Sequence, residues 1–541
     1  MKATSTRLPR SRPVSRRPAG TKKVQEQATA PIGWRNPWWV AFAAALLVAI
    51  LFRLLFLDLK PLHHDEGVNG YLLTNLFRTG FYHYDPANYH GPTLYYFGLL
   101  TTTLNALFYG KAGLSTFAIR LVPAVFGIAL VWLVFVLRPY LSNFGAQAAA
   151  ALLAVSPGMV YFSRYFIHEI PFVFLTLALV VTVIWYHETA QPRYLMLAFA
   201  SAALIFATKE TCIISFAVLF LAWVCTRLYL WTRTGVNAFP LSFQPRPEAG
   251  AGLSRWRLPA MGLLVFIAIS MLFYSSFFTN PRGVVDSLRT FQIWTHTGIH
   301  TDQYVAPRWK YLKWLWQEEA PIVVLGGLGT AVALWKARDR FAVFAAFWAL
   351  GITAAYSLVT YKTPWLVLNL ILPLGIMGGY FLSQWYSAGA AVGVDARYIF
   401  GISAVLALIA ALIFCGYQAI DISFYRYDND SVPYVYAHTS RQLLDLMDEV
   451  ESIAARNPAG KNTGMTIASP EYWPLPWYLR DYPQAIFWGH MIRTSEPILI
   501  ASGPQADEVE KTLGNLYSAY KTYDLRPGNV LILYLRRDIQ P

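Results

Sequence analysis

Apolar runs of about twenty residues, separated by short polar stretches, fill most of the chain between Trp38 and Tyr417. They are Trp38–Leu57, Leu94–Tyr109, Ile119–Leu137, Ala146–Phe162, Pro171–Tyr186, Tyr194–Ala207, Ile213–Leu230, Leu258–Phe278, Pro321–Trp335, Phe341–Val359, Trp365–Trp385 and Tyr398–Tyr417. Runs of this length predict membrane helices. Leu94–Tyr109 stands apart, because it is short and mixed with Thr, Asn and Gly. If it spanned, the basic loops "WTRTGVNAFPLSFQPRPEAGAGLSRWR" and "WKARDR" would fall outside, against the positive-inside rule. If it lies flat on the outer surface, both loops, Arg138 and Arg193 join the basic N-terminal tail on the cytoplasmic side. The second arrangement is the expectation. Twelve runs less one then give eleven spanning helices, with the N-terminus inside and the C-terminus outside.

Beyond Tyr417 the periodicity changes. "RQLLDLMDEVESIAARN" and "ADEVEKTL" predict amphipathic helices, while "GMTIAS", "QAIFWG", "PILIAS" and "NVLILYL" predict strands between Pro/Gly-rich turns. The predicted organisation is a basic disordered tail over 1–35, a membrane domain over 36–420 and a small α/β domain outside the membrane over 421–541.

Composition supports this class. The chain is 56% hydrophobic and only 14% charged, against roughly a quarter charged in soluble domains. The net charge of +14 sits largely in the tail "MKATSTRLPRSRPVSRRPAGTKK", which reads as a topology signal touching anionic lipid and not as a nucleic-acid site. Cys212, Cys225 and Cys415 lie inside apolar runs and show neither disulfide nor zinc spacing.

The flat placement of Leu94–Tyr109 has a chemical consequence. It puts "HHDEG", "YHGP", "SRYFIHE", "TKE" and "TYKTPW" on one outer face. Taken singly, each is an ordinary solvated loop or helix end. Together, Arg164, Lys209 and Lys362 stand with Asp65, Glu66, Glu169 and Glu210 at one level, near His64, His90, His168 and Tyr361. Ionisable groups at membrane level mark functional sites. The cations suit a phosphate held by charge-assisted hydrogen bonds, and a carboxylate suits a general base. Histidine beside carboxylate admits zinc, manganese or magnesium, although no strict ligand spacing is present. Sugar transfer from a polyprenyl-phosphate donor joins these parts, with phosphate as the leaving group. The acceptor would be a lipid, glycan or protein.

These motifs resemble the GT-C superfamily of membrane glycosyltransferases. Their pattern is similar to glycosyltransferase family 39, the protein O-mannosyltransferases and aminoarabinose transferases, and most to a flippase-associated branch first named in archaea. The resemblance covers about residues 35 to 420 and implies a GT-C fold. It implies that Asp65 is the base, with Glu66 its partner, and that Glu169 occupies the second acidic motif. Lys209 matches a lysine near the lipid phosphate, while Lys362 and Tyr361 match the branch pattern alone. The second motif reads His168–Glu169, not Asp-x-Asp or Asp-x-Glu, which departs from a metal-binding pattern. The competing expectation is a flippase, or a protein that handles lipid-linked glycans without catalysis.

Overall fold

The computed structural model describes residues 37–88, 90–235, 256–300, 306–391 and 393–539. The expected disordered tail, Tyr89 of "YHGP" and most of the long basic loop lie outside the described residues. The membrane part is a helix bundle. Its elements are α1 Pro37–Leu54, α2 His64–Thr79, α3 Thr93–Tyr109, α4 Thr116–Phe135, α5 Arg138–Val155, α6 Pro157–Phe162, α7 Glu169–Thr189 and α8 Pro192–Phe206. They continue with α9 Cys212–Thr234, α10 Arg257–Tyr274, α11 Arg282–His300, α12 Lys310–Glu318, α13 Ala320–Lys336, α14 Arg340–Leu358, α15 Leu368–Ala388 and α16 Val394–Ile420.

Seven of the described helices are long and apolar enough to cross a membrane. An eighth span results if α12 and α13, bent by 113°, are taken as one. α1 and α8 are apolar but shorter, and α3 is not among the candidates. Length and composition alone therefore support seven or eight of the eleven expected spans. The alanine-rich α5 falls short on hydropathy, yet it is buried along nearly its whole second half.

In lipid there is little hydrophobic drive between helices, so close packing of small residues must hold a bundle together. α15 is the central helix, with 89% of its apolar window buried. Gly379 meets the backbone of Gly145 on α5, and Gly329 on α13 meets the carbonyl of Met377. A Cβ at either position would collide with backbone.

The C-terminal part contains α17 Gln442–Arg456, β1 Met465–Ile467, α18 Leu475–Tyr478, β2 Ala485–Phe487, β3 Ile498–Ser502, α19 Ala506–Leu513, β4 Tyr517–Arg526 and β5 Asn529–Arg536. The strand order is β2-β1-β3-β5-β4. β1 runs parallel to β2 and β3, and β5 runs antiparallel to β3 and β4. The expected strands are all present. β4 is the addition, an edge strand whose exposed centre carries polar residues and so lacks an apolar run.

This sheet unit docks on α2. A Cβ at Gly67 would overlap Pro474, and one at Gly70 would come within 2.6 Å of the Trp477 ring. The Tyr478 hydroxyl accepts the Leu62 N–H at 2.9 Å. Arg480 donates to the Leu114 carbonyl at 2.8 Å, just before α4.

Candidate functional site

Asp65 and Glu66 fall in the first turn of α2, where carboxylates favour the helix dipole. His63 caps this turn. Its ring Nδ1 accepts the Asp65 N–H at 3.2 Å, and its own N–H donates to Glu66 Oε2 at 3.0 Å. Glu66 is fully buried. Oε1 accepts from Arg120 Nε and the Phe166 N–H, each at 2.8 Å. Oε2 accepts from Arg120 Nη2 at 2.8 Å as well as from His63. An ionised carboxylate has about four acceptor directions, and all four are occupied. Burial would push the Glu66 carboxyl up, but the Arg120 guanidinium and its hydrogen bonds outweigh it and hold it below the usual range. Glu66 therefore anchors α2 and has no lone pair left for a substrate proton, which corrects the expectation of a catalytic pair.

Asp65 contrasts with its neighbour. It is half-buried, and among the described residues its carboxylate makes no hydrogen bond or ion pair. His64 also differs from His63, because Arg526 of the sheet unit donates toward its Nδ1 at 3.3 Å. Burial, outweighing the Asp65 charge, moves the His64 imidazole below its ordinary pKa.

One turn along from Asp65, Asn69 begins a line of contacts. Its amide accepts the Tyr95 hydroxyl at 3.0 Å and donates to the Phe166 carbonyl at 3.0 Å. Tyr95 meets the His168 ring edge-on at 5.7 Å, and His168 lies 4.8 Å from the His90 ring. His90 Nδ1 pairs with Glu210 at 2.9 Å. Lys209 pairs with Glu169. The motifs "HHDEG", "YHGP", "SRYFIHE" and "TKE" are thus in continuous contact.

The electrostatics of this cluster follow from burial against pairing. Burial alone would lower Lys209, but Glu169 and Glu210 outweigh it and the ammonium is raised. Burial would raise Glu210, yet His90 and Lys209 hold it below its ordinary value. His168 is driven well below its ordinary value, first by burial and then by the charges of His90 and Lys209. Its Nε2 faces the Gly91 carbonyl at 3.1 Å, and its buried Nδ1 has no hydrogen-bond partner.

The three expected phosphate ligands separate by their contacts. Arg164 directs its guanidinium at the carbonyls of Phe52, Arg53, Leu55 and Phe56, where the end of α1 leaves orphan acceptors. Lys362 donates to the carbonyls of Tyr356, Ser357 and Val359 and so caps α14. These two side chains close helix ends. Lys209 has three N–H donors, of which one goes to Glu169. Among the described residues Lys209 is the one of the three that pairs with a carboxylate and not with helix-end carbonyls, while Arg164 Nε is also left without a hydrogen-bond partner. Lys362 still lies near the same place, 4.8 Å over the Tyr311 ring, and half-buried Tyr361 is close to Tyr311. Tyr311 and Tyr356 are fully buried, and Tyr356 lies near Thr211 and interacts with Lys209.

Among the described residues, no group of three or more His, Cys, Asp or Glu side chains is arranged to hold a metal ion. Glu169 is committed to Lys209 and Glu210 to His90, so these donors do not fit a metal. Arg120 is the main residue that the sequence pattern missed. A lone arginine inside an apolar run was the available signal.

A family model described as dolichyl-phosphate-mannose-protein mannosyltransferase matches residues 89–237. No curated protein matches the chain. Among solved structures, ArnT from Cupriavidus metallidurans is similar, both bound to undecaprenyl phosphate and in the apo state. Each superposes with a TM-score of 0.62 at 15% identity, covering 92% of this chain and 98% of that one. The arabinofuranosyltransferase AftD from Mycobacteria matches at a TM-score of 0.45 and 12% identity, over 92% of this chain and 40% of that one. The chain has the ArnT-like GT-C fold that the motifs implied, a helical membrane bundle with a small C-terminal sheet.

Proposed function

We propose that this chain is a membrane glycosyltransferase that moves a sugar from a polyprenyl-phosphate donor to an acceptor hydroxyl on the extracytoplasmic face. The observation that carries the reading is the pairing of an open carboxylate, Asp65, with a buried lysine that keeps uncommitted donors, Lys209. Asp65 lies one turn before Asn69, from which contacts run through Tyr95, His168 and His90 to Glu210, the residue after Lys209. Asp65 takes the proton from the acceptor hydroxyl. The oxygen attacks the anomeric carbon, the bond from that carbon to the phosphate oxygen breaks, and the electron pair leaves with polyprenyl phosphate. Lys209 stabilises the charge that develops on the phosphate, and Glu169 holds Lys209 in place. A single displacement of this kind inverts the anomeric centre. Undecaprenyl phosphate bound to the ArnT chain, and the mannosyltransferase family model, support a donor of this class.

The test is transfer of label from polyprenyl-phosphate sugars to membrane extract by the purified protein. Asp65→Asn should lower transfer by about 10² or more while lipid binding persists. Undiminished transfer in that variant would remove Asp65 as the base.

A further inference from the structure

Pro474 and Trp477 are buried against Gly67 and Gly70 and account for the docking of the sheet unit on α2. The two residues before Pro474 do something else. Trp473 and Tyr472 are only half-buried, although they sit in the same loop. Their rings continue a series that begins on α2 itself. Tyr71, 44% exposed, meets Trp473 at 5.9 Å. Trp473 meets Tyr472 at 5.6 Å, and Tyr472 meets Phe487 of β2 at 5.3 Å. Near the inner end of this ridge, the Trp473 ring lies 6.2 Å from that of His64, the residue beside Asp65.

Charged groups border the rings. Arg526 donates to the Trp473 carbonyl at 2.6 Å and lies 3.8 Å from Glu471, whose side chain is 51% exposed. A surface made for lipid chains would not carry a carboxylate and a guanidinium at its edge. Partly exposed rings flanked by such groups suit a ligand with an apolar C–H face and hydroxyls around its rim. That is the chemistry of a pyranose or furanose ring.

We infer that Tyr71, Trp473 and Tyr472, bordered by Glu471 and Arg526, form an acceptor subsite for a saccharide, so that the acceptor is a glycan. The inference rests on the transferase reading of Asp65. The ridge runs from the neighbourhood of Asp65 out over the sheet unit. It presents the sugar hydroxyl at the carboxylate while further residues of the glycan stack outward. The sheet unit thereby sets acceptor specificity, a role its position in the sequence does not reveal.

The experiment uses full-length Asp65→Asn protein in detergent, so that binding is read without turnover. Saturation-transfer NMR, with irradiation of aromatic protons, is recorded with mannotriose, arabinotriose, cellotriose and a neutral serine-containing hexapeptide as probes. At least one saccharide should receive saturation on its ring protons. Its apparent affinity should drop about fivefold to tenfold in Tyr472→Ala and in Trp473→Ala, the loss of one stacked ring. Tyr472→Ala decides the matter if Trp473→Ala fails to fold. The inference is overturned if no saccharide receives saturation, if the folded Tyr472→Ala protein binds as before, or if the peptide alone binds. Saccharide binding in a protein that never consumes a polyprenyl-phosphate sugar would leave the subsite standing and remove the transferase reading.

Discussion

Replacing Arg120 by Met tests the reasoning about how the site is built. The guanidinium and Glu66 are both fully buried, and Arg120 also donates to the carbonyls of Leu57, Lys60 and Pro61. Breaking one partner of a buried pair costs about 3–5 kcal/mol, because the other charge is left without compensation. Three buried carbonyls lose their donor as well, at roughly 1 kcal/mol or more each where water cannot reach them. The sum is about 6–8 kcal/mol, comparable to the whole stability of an ordinary domain. Arg120→Met should therefore yield little folded protein. Glu66→Leu combined with Arg120→Met removes both charges, and such pairs are often close to neutral. The double variant still leaves the His63 and Phe166 N–H groups and the three carbonyls unmatched, about 5 kcal/mol in all, so it should recover about 1–3 kcal/mol of the loss. The assay is the monodisperse fraction surviving graded heating in detergent, followed by size exclusion. An Arg120→Met protein within about 1 kcal/mol of the parent would refute the account, since breaking a buried pair cannot be that mild. So would a double variant no more stable than the single one.

Other consequences can be checked in the same preparation. Lys209→Met leaves Glu169 buried and unpaired, whereas Lys209→Met with Glu169→Gln should restore folding but not donor binding, read by retention of labelled polyprenyl-phosphate sugar. His63, His168 and His438 are buried, and burial holds each below its ordinary pKa. They are neutral when folded and protonate near pH 6.5 when unfolded, so their contribution is present above that value and lost as pH falls toward the depressed folded values. The expected loss is about 1.4 kcal/mol per histidine per pH unit below 6.5, measured as unfolding midpoints between pH 5 and 8. A flat profile would contradict the burial. Gly329→Leu should cost about 3 kcal/mol or more by driving α13 off the Met377 carbonyl, seen in the same midpoints.

Much of the helical order was legible because apolar run length is a direct physical signal. The strands of the sheet unit were legible from their short apolar runs, apart from β4, whose exposed Tyr520, Lys521 and Thr522 mask it as loop. Asp65, Glu169, Lys209 and Glu210 stood out in the sequence because charges at membrane level are costly and so informative. At Arg164 and Lys362 the same signal has another use in the structure. Helix ends and breaks at membrane level leave carbonyls that water cannot satisfy, and long cationic side chains answer that need as readily as they answer a phosphate. Sequence gives the charge but not the direction of its donors. Arg120 was hidden for the opposite reason, since its partner lies 54 residues away and nothing local shows the pair.

The adjacent pair Asp65–Glu66 shows how the two demands are met together. Successive residues on a helix point about 100° apart, so one carboxylate can be fully buried while its neighbour stays half-exposed. Glu66 is held by Arg120 of α4, and the following residue, Gly67, packs against Pro474 of the sheet unit. Asp65 precedes both and contributes to neither contact. Its position is fixed by groups that never touch a substrate, which is the preorganisation that a base requires. A change at Pro474 or Gly67 that leaves the bundle folded should therefore lower kcat more than it raises KM for the donor, since donor contacts at Lys209 would be untouched. The reverse pattern would mean that docking of the sheet unit sets donor affinity and that α2 orients itself without it.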